Sequence, residues 1–191
     1  MKIRVVGFDP STSNWGICKA TVDLDDLSGF QVDDLILVQT NPETKKGVRK
    51  DSDDIRRAQE VRGGMMLACN GASIAISEIP FMNPGSYAAA NFNSGLVTGV
   101  LASCPLPLIQ VFPSEVKLKA TGIRSATKDE MIEWAMNRFP DAPWIMRKLK
   151  GKSVPTAANE HLADAVASIN AGLQSEQFRS AAAMFRGMKA A

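Results

Sequence analysis

Three apolar runs suited to strands come before any helical period in this chain, and that order restricts it to folds that begin with an antiparallel meander. Lys2 to Asp9, about Trp15 to Val22 and about Phe30 to Gln39 are the runs, the last two joined through a polar turn at Leu24 to Gly29. The charge-rich stretch Asn41 to Asp54 has no apolar period and reads as a mobile loop leading into a helix over about Ile55 to Asn70. Ile74 to Glu78 is a fourth strand, Pro84 to Ser103 a Gly- and Ala-rich helical stretch, and Leu108 to Phe112 a fifth strand. Pro113 suits the first turn of a short helix. Thr127-Lys128-Asp129-Glu130 fits a capping box, and Met131, Ile132, Ala135 and Phe139 follow it at helical spacing. Phe139 to Pro155, with three prolines, reads as a loop. A helix over Ala157 to Ala171 carries the stripe Leu162, Ala165, Val166 and Ile169, and the tail suits an amphipathic helix on Phe178, Ala182 and Phe185. The succession predicts an α/β domain over 1–174, a five-stranded mixed sheet with its first three strands antiparallel and helices around it, and a C-terminal helical tail over 175–191.

Two of the strands end on a carboxylate, Asp9 and Glu78. Desolvating such a charge costs several kcal/mol unless a cation or a donor compensates it. On the last long helix His161 and Asp164 are three apart, so they share a face and border the apolar stripe. If the first and fourth strands lie side by side, these two residues lean over the strand ends. Three carboxylates and an imidazole suit a pair of Mg²⁺ or Mn²⁺ ions about 3.5–4 Å apart, able to activate water and stabilise the leaving oxygen of a phosphodiester. Taken singly, each residue has an ordinary explanation: Asp9 as a cap on the amides of Ser11 or Thr12, Glu78 as a strand-end ion pair, Asp164 as a solvated helix residue, and a lone histidine as structural. Their coincidence is what points to a metal centre. Glu160 lies four before Asp164 and competes with His161 as the fourth ligand.

The 191 residues are enough to build a core without disulfides, and 45% hydrophobic against 22% charged residues excludes a largely disordered chain. The formal charge of +2 identifies no partner. Its placement says more, because Lys117, Lys119, Arg124 and Lys128 form one basic cluster and Arg147, Lys148, Lys150 and Lys152 another. A segregated basic surface suits a polyanion, although a solvated face accounts for each cluster equally well. Cys18, Cys69 and Cys104 have no C-x-x-C spacing and read as reduced core residues. No apolar run approaches the roughly 18 residues that span a bilayer, and the opening run is too short for a signal peptide. A cytoplasmic protein without a membrane partner is expected.

Four stretches carry a family resemblance: Gly7-Phe8-Asp9-Pro10-Ser11, Ser77 to Asn83, Val111 to Lys128 with Lys117, Gly122 and Lys128 in step, and His161 to Ala167. Over about Lys2 to Gly172 the chain resembles the RuvC family of Holliday junction resolvases, in particular its phage-type members. The resemblance implies an RNase H-like fold of the retroviral-integrase superfamily and Mg²⁺-dependent cleavage, with Mn²⁺ substituting. It also implies a homodimer nicking a four-way junction symmetrically, in a bacterial host cell if the chain is phage-encoded, with no small-molecule substrate. By the same resemblance Asp9, Glu78, His161 and Asp164 form the catalytic metal set. Lys117 and Lys128 would lie near the scissile strand, and Phe81 would stack on unpaired bases at the crossover. Arg147, Lys148 and Lys150 are candidates to track phosphates. The stretches Asn41 to Asp54 and Asp141 to Pro155 are longer than in bacterial members, and Pro84-Gly85 interrupts the run after Phe81-Met82-Asn83, so the chain departs from the bacterial pattern; the resemblance to phage-type members, which can act on a wider set of branched DNAs, implies forks and flaps as further substrates. Gly7 to Ser13 also resembles the phosphate-binding hairpin of actin-like ATPases and sugar kinases, but the second lobe and Gly-rich adenosine loop of those proteins are missing from the sequence. A non-catalytic subunit that binds branched DNA is a third reading.

Overall fold

A computed structural model describes residues 1–80 and 88–190. Its central sheet has five strands in the order β3-β2-β1-β4-β5, with β1 (Lys2–Asp9), β2 (Asn14–Asp23) and β3 (Asp26–Gln39) antiparallel. β4 (Ile74–Glu78) runs parallel to β1, with Val5 beside Ile74 and Phe8 beside Ser77, and β5 (Leu108–Val111) runs parallel to β4. The mixed α/β fold expected from the order of apolar runs is the one observed. Parallel pairing of β1 with β4 brings their carboxyl ends, and so Asp9 and Glu78, side by side at one end of the strands in the middle of the sheet.

Side chains alternate across the pleat. Val6, Phe8, Trp15, Ile17 and Ala75 point into a core shared with α1 (Lys50–Cys69) and α2 (Ala88–Ala102). Val5, Cys18, Ala20, Ile74 and Ile76 face the opposite side. There they meet α3 (Pro113–Thr121), α4 (Lys128–Arg138), α5 (Asn159–Leu173) and α6 (Glu176–Ala190). Pro113 opens α3 and the Thr127/Glu130 capping box opens α4, as their sequences predict. Phe178 and Ala182 of α6 are fully buried in the core beneath α5.

α5 lies unusually close to the sheet, and glycines make the room. A methyl group at Gly7 would stand 2.4 Å from the Ala165 carbonyl oxygen, and one at Gly16 would stand 2.0 Å from that of His161. Any side chain at these two places pushes the helix off the strands that it covers.

Three expectations need correction. The β2–β3 turn is only Leu24 and Asp25, because Leu24 is buried and its amide donates to the Met1 carbonyl, so β3 begins at Asp26. α1 begins at Lys50, inside the stretch read as a loop. Its acidic first turn is held by ion pairs, Arg56 to Asp53 at 2.6 Å and Lys50 to Asp54 at 2.7 Å, and the Asp53 carboxylate also accepts the Glu43 amide. The stretch Phe139 to Pro155 is not simply a loop, since β6 (Met146–Leu149) and β7 (Lys152–Pro155) form an antiparallel hairpin. Pro140 and Pro143 precede it and Pro155 ends it, so none interrupts the ladder.

Candidate active site

Asp9 and Glu78 are the last residues of neighbouring parallel strands, one step beyond the Phe8–Ser77 pair. α5 crosses above them with His161 and Asp164 in its first two turns. The Ser168 hydroxyl, donating to the Phe8 carbonyl at 3.4 Å, ties the helix to β1. His161 Nδ1 lies 2.7 Å from Asp9 Oδ2, a hydrogen bond between residues 152 apart in sequence.

The electrostatics are those of crowded acids. Burial raises the Asp9 pKa, and the His161 hydrogen bond only partly opposes it. Glu78 is pushed up to about 9 by burial first and then by the charges of Asp9 and Asp164, with Lys117 pulling the other way. Asp164 rises to about 7 through burial, Asp9 and Glu160, against Lys117 and His161. His161 is raised chiefly by its hydrogen bond to Asp9, so a shared proton is favoured between those two side chains. Asp164 Oδ1 is buried without a hydrogen-bond partner among the described residues. A nearby cation would relieve each of these costs at once, and oxygens with one imidazole are ligands that Mg²⁺ or Mn²⁺ accepts. By chemistry the donor set fits a hard divalent ion. As the side chains stand, however, no three His, Cys, Asp or Glu among the described residues close on one point that could hold it. The Asp9–His161 hydrogen bond occupies two of the four donors, and ion binding has to compete with it.

The ordinary alternative for Asp9, a cap on the turn amides of Ser11 or Thr12, does not occur among the described residues. Ser11 Oγ accepts the Asn14 amide at 2.9 Å instead, which frees the Asp9 carboxylate for the site. Beneath the turn, buried Arg57 donates to Thr40 Oγ1 at 2.9 Å and to Ser13 Oγ at 2.7 Å, while the Ser13 carbonyl accepts the Thr40 amide at 2.9 Å. This network fixes the segment that follows Asp9. Sequence reasoning missed it, although Arg57, Val61, Met65 and Ala68 share one helical stripe whose apolar members mark the buried face.

Of the basic candidates, Lys117 on α3 is close enough that its charge lowers both Glu78 and Asp164. Lys128, the first residue of α4, has its Nζ 2.6 Å from Glu160 Oε1. Glu160 is therefore engaged by a lysine as the structure stands. Arg147, Lys148 and Lys150 are exposed on the β6–β7 hairpin, and Phe81 lies outside the described residues.

No protein-family model matches the chain, and a search of curated proteins returns no match. Solved structures do match. RuvC of Thermus thermophilus in complex with a Holliday junction substrate shares 18% identity and a TM-score of 0.64, over 94% of this chain and 97% of that one. The structure described simply as Thermus thermophilus RuvC gives 18% and 0.58, over 88% and 92%. The yeast mitochondrial Holliday junction resolvase gives 11% and 0.50, over 95% and 85%. At such identities what is shared is architecture: this chain has the RNase H-like fold in its RuvC-type arrangement.

Proposed function

We propose that this protein is a divalent-metal-dependent endonuclease that cuts branched DNA and resolves Holliday junctions as a homodimer. The observation that carries the reading is the meeting of Asp9, Glu78 and Asp164 where the carboxyl ends of β1 and β4 pass under α5: the charges of Asp9 and Asp164 raise the Glu78 pKa, that of Asp9 raises the Asp164 pKa, and an unpartnered Asp164 oxygen lies among them. The fold shared with RuvC of Thermus thermophilus supports it. A bound Mg²⁺ or Mn²⁺ pair would make water a nucleophile at neutral pH and stabilise the departing oxygen. Asp9, Glu78 and Asp164 supply oxygen ligands to that pair, and His161 either joins them or holds the proton at Nδ1 that it now shares with Asp9. Lys117 and Lys128 meet phosphate oxygens on the scissile strand, Lys128 after leaving Glu160. Phosphodiester hydrolysis of this kind needs no covalent enzyme intermediate.

The test is cleavage of an end-labelled synthetic four-way junction beside forks, flaps and duplex, in Mg²⁺, Mn²⁺ or chelator. Metal-dependent nicks in the branched substrates are expected. Asp9→Asn should keep junction binding and lower the cleavage rate about 10³-fold, equivalent to about 4 kcal/mol of transition-state stabilisation. Full cleavage by that variant, or none by the natural protein on any branched DNA, overturns the reading.

A further inference from the structure

Between Met146 and Pro155 the β6–β7 hairpin leaves every residue but Val154 exposed. A two-stranded ribbon with no packed face has little reason to be ordered on its own. This one is held at its base. Buried Asn159, the first residue of α5, accepts the Ile145 amide on its side-chain oxygen at 2.9 Å and donates to the Ile145 carbonyl at 2.9 Å. The same carbonyl accepts the Thr156 amide at 3.1 Å, and Trp144 is buried just before. The hairpin is thus clamped to the helix that carries His161, two residues ahead of it.

Its surface chemistry is specific. Ala142 to Asn159 contains no acidic residue, and Arg147, Lys148, Lys150 and Lys152 form no ion pair among the described residues. The register pairs Met146 with Pro155 and Leu149 with Lys152, so the two exposed apolar side chains lie on opposite faces. Lys148 shares the face of Met146, and Arg147 and Lys152 share that of Leu149. Each face therefore presents an apolar side chain beside at least one cation. At the apex Lys150 has φ 48° and Gly151 φ 79°, both positive as a two-residue type I′ turn requires. Lys150 is the one residue other than glycine with positive φ among those described. Asn or Gly would sit there with less strain, and lysine instead places a charge at the tip.

We infer that this hairpin reads the branch point of the substrate, its cations gripping phosphates while Met146 and Leu149 pack against bases left unpaired at the crossover. The inference rests on the proposed function and names the element that tells branched from linear DNA. Intact duplex offers the hairpin phosphates and base edges, with the base faces hidden by stacking, whereas a branch also offers the flat faces of unstacked bases. Anionic lipid would satisfy the same charges. The Asn159 clamp argues for nucleic acid, because it holds whatever the hairpin grips in a fixed relation to the acid cluster, which has nothing to act on in a lipid surface.

Binding measured in chelator separates this inference from cleavage. Arg147→Glu/Lys148→Glu/Lys150→Glu is expected to weaken junction binding at least about 10-fold at 0.1 M salt and to reduce the slope of log K against log salt by about three. Met146→Ser/Leu149→Ser should leave duplex binding in place and lower the junction-over-duplex preference about 5-fold or more. Melting temperatures, unmoved because all five side chains are exposed, confirm that both variants fold. The inference falls if either set binds as the natural protein does. If the charge variant weakens junction and duplex equally and the Ser pair changes nothing, the hairpin is a plain polyanion contact and the branch reading is overturned. It is overturned also if anionic vesicles, and not junctions, distinguish the variants. Failure of the natural protein to cleave any branched DNA strikes the proposed function, while these affinities still decide the hairpin.

Discussion

Glu78 shows most directly what the acid cluster costs the fold. Its carboxyl titrates near 9 in the folded chain against an ordinary value of 4.5. Between those values the folded state keeps a proton that the unfolded state has released, so stability falls as pH rises through that window. Asp164, raised to about 7 from 3.8, acts in the same sense at lower pH. The melting temperature of the metal-free protein is therefore expected to drop between pH 5 and 8.5. Glu78→Gln should flatten that drop and gain about 1 kcal/mol at pH 8, or about 2–4 °C for a chain of this size. Added Mg²⁺ should raise the melting temperature of the natural protein and raise that of the variant less. A profile identical in the two proteins counts against a buried Glu78 acid. The convergence of Asp9, Glu78, His161 and Asp164 was legible because strand ends and an i, i+3 helix pair obey fixed geometry. The Lys128–Glu160 pair was not legible, since nothing local in the sequence says that two helix starts adjoin in space.

Among the elements, α5 decides whether a site exists, and two glycines decide how closely it sits. A methyl at Gly16 would lie 2.0 Å from the His161 carbonyl oxygen, a contact that backbone atoms cannot yield cheaply. Gly16→Ala is expected to lower stability by about 1–3 kcal/mol in urea unfolding and to reduce cleavage further than stability alone explains, because His161 is displaced. Gly63→Ala, on an exposed position of α1 with open space around it, is the control and should be neutral or slightly stabilising. Elements with an apolar period were legible, β4 to the residue and α5 displaced by two residues at each end. The first turn of α1 was not, because its order comes from ion pairs and charge without period reads as loop. The hairpin escaped for a related reason: Met146-Arg147-Lys148-Leu149 has no period-2 alternation, and each of its faces mixes apolar with basic side chains and stays exposed, so no core-facing pattern announces it.

At the scale of the whole molecule the two faces of the sheet are treated differently. One is deeply covered by α5 and its neighbours, and the other by α1 and α2, whose outer surface exposes Phe92, with Gly95 and Gly99 facing open space. The homodimer of the proposed function has a surface available there. Light scattering is expected to give about twice 20.6 kDa, and Gly99→Glu to return the mass toward one chain. A monomeric natural protein, or an unchanged mass in the variant, removes that surface from consideration. None of the described helices is long and apolar enough to cross a membrane. The sheet order was legible from the sequence of strands and helices, but subunit contacts are not, since an exposed apolar residue looks the same whether or not a partner covers it.

The bond between Asp9 and His161 joins the ninth residue to one that a ribosome adds only after most of the chain has emerged. A nascent or prematurely terminated product holds its early acids without the late helix that completes them, and folding proceeds from the amino end as synthesis advances. If the proposed function holds, copies that stop before His161 and Asp164 are made lack half of the acid site and are expected to be inactive as nucleases.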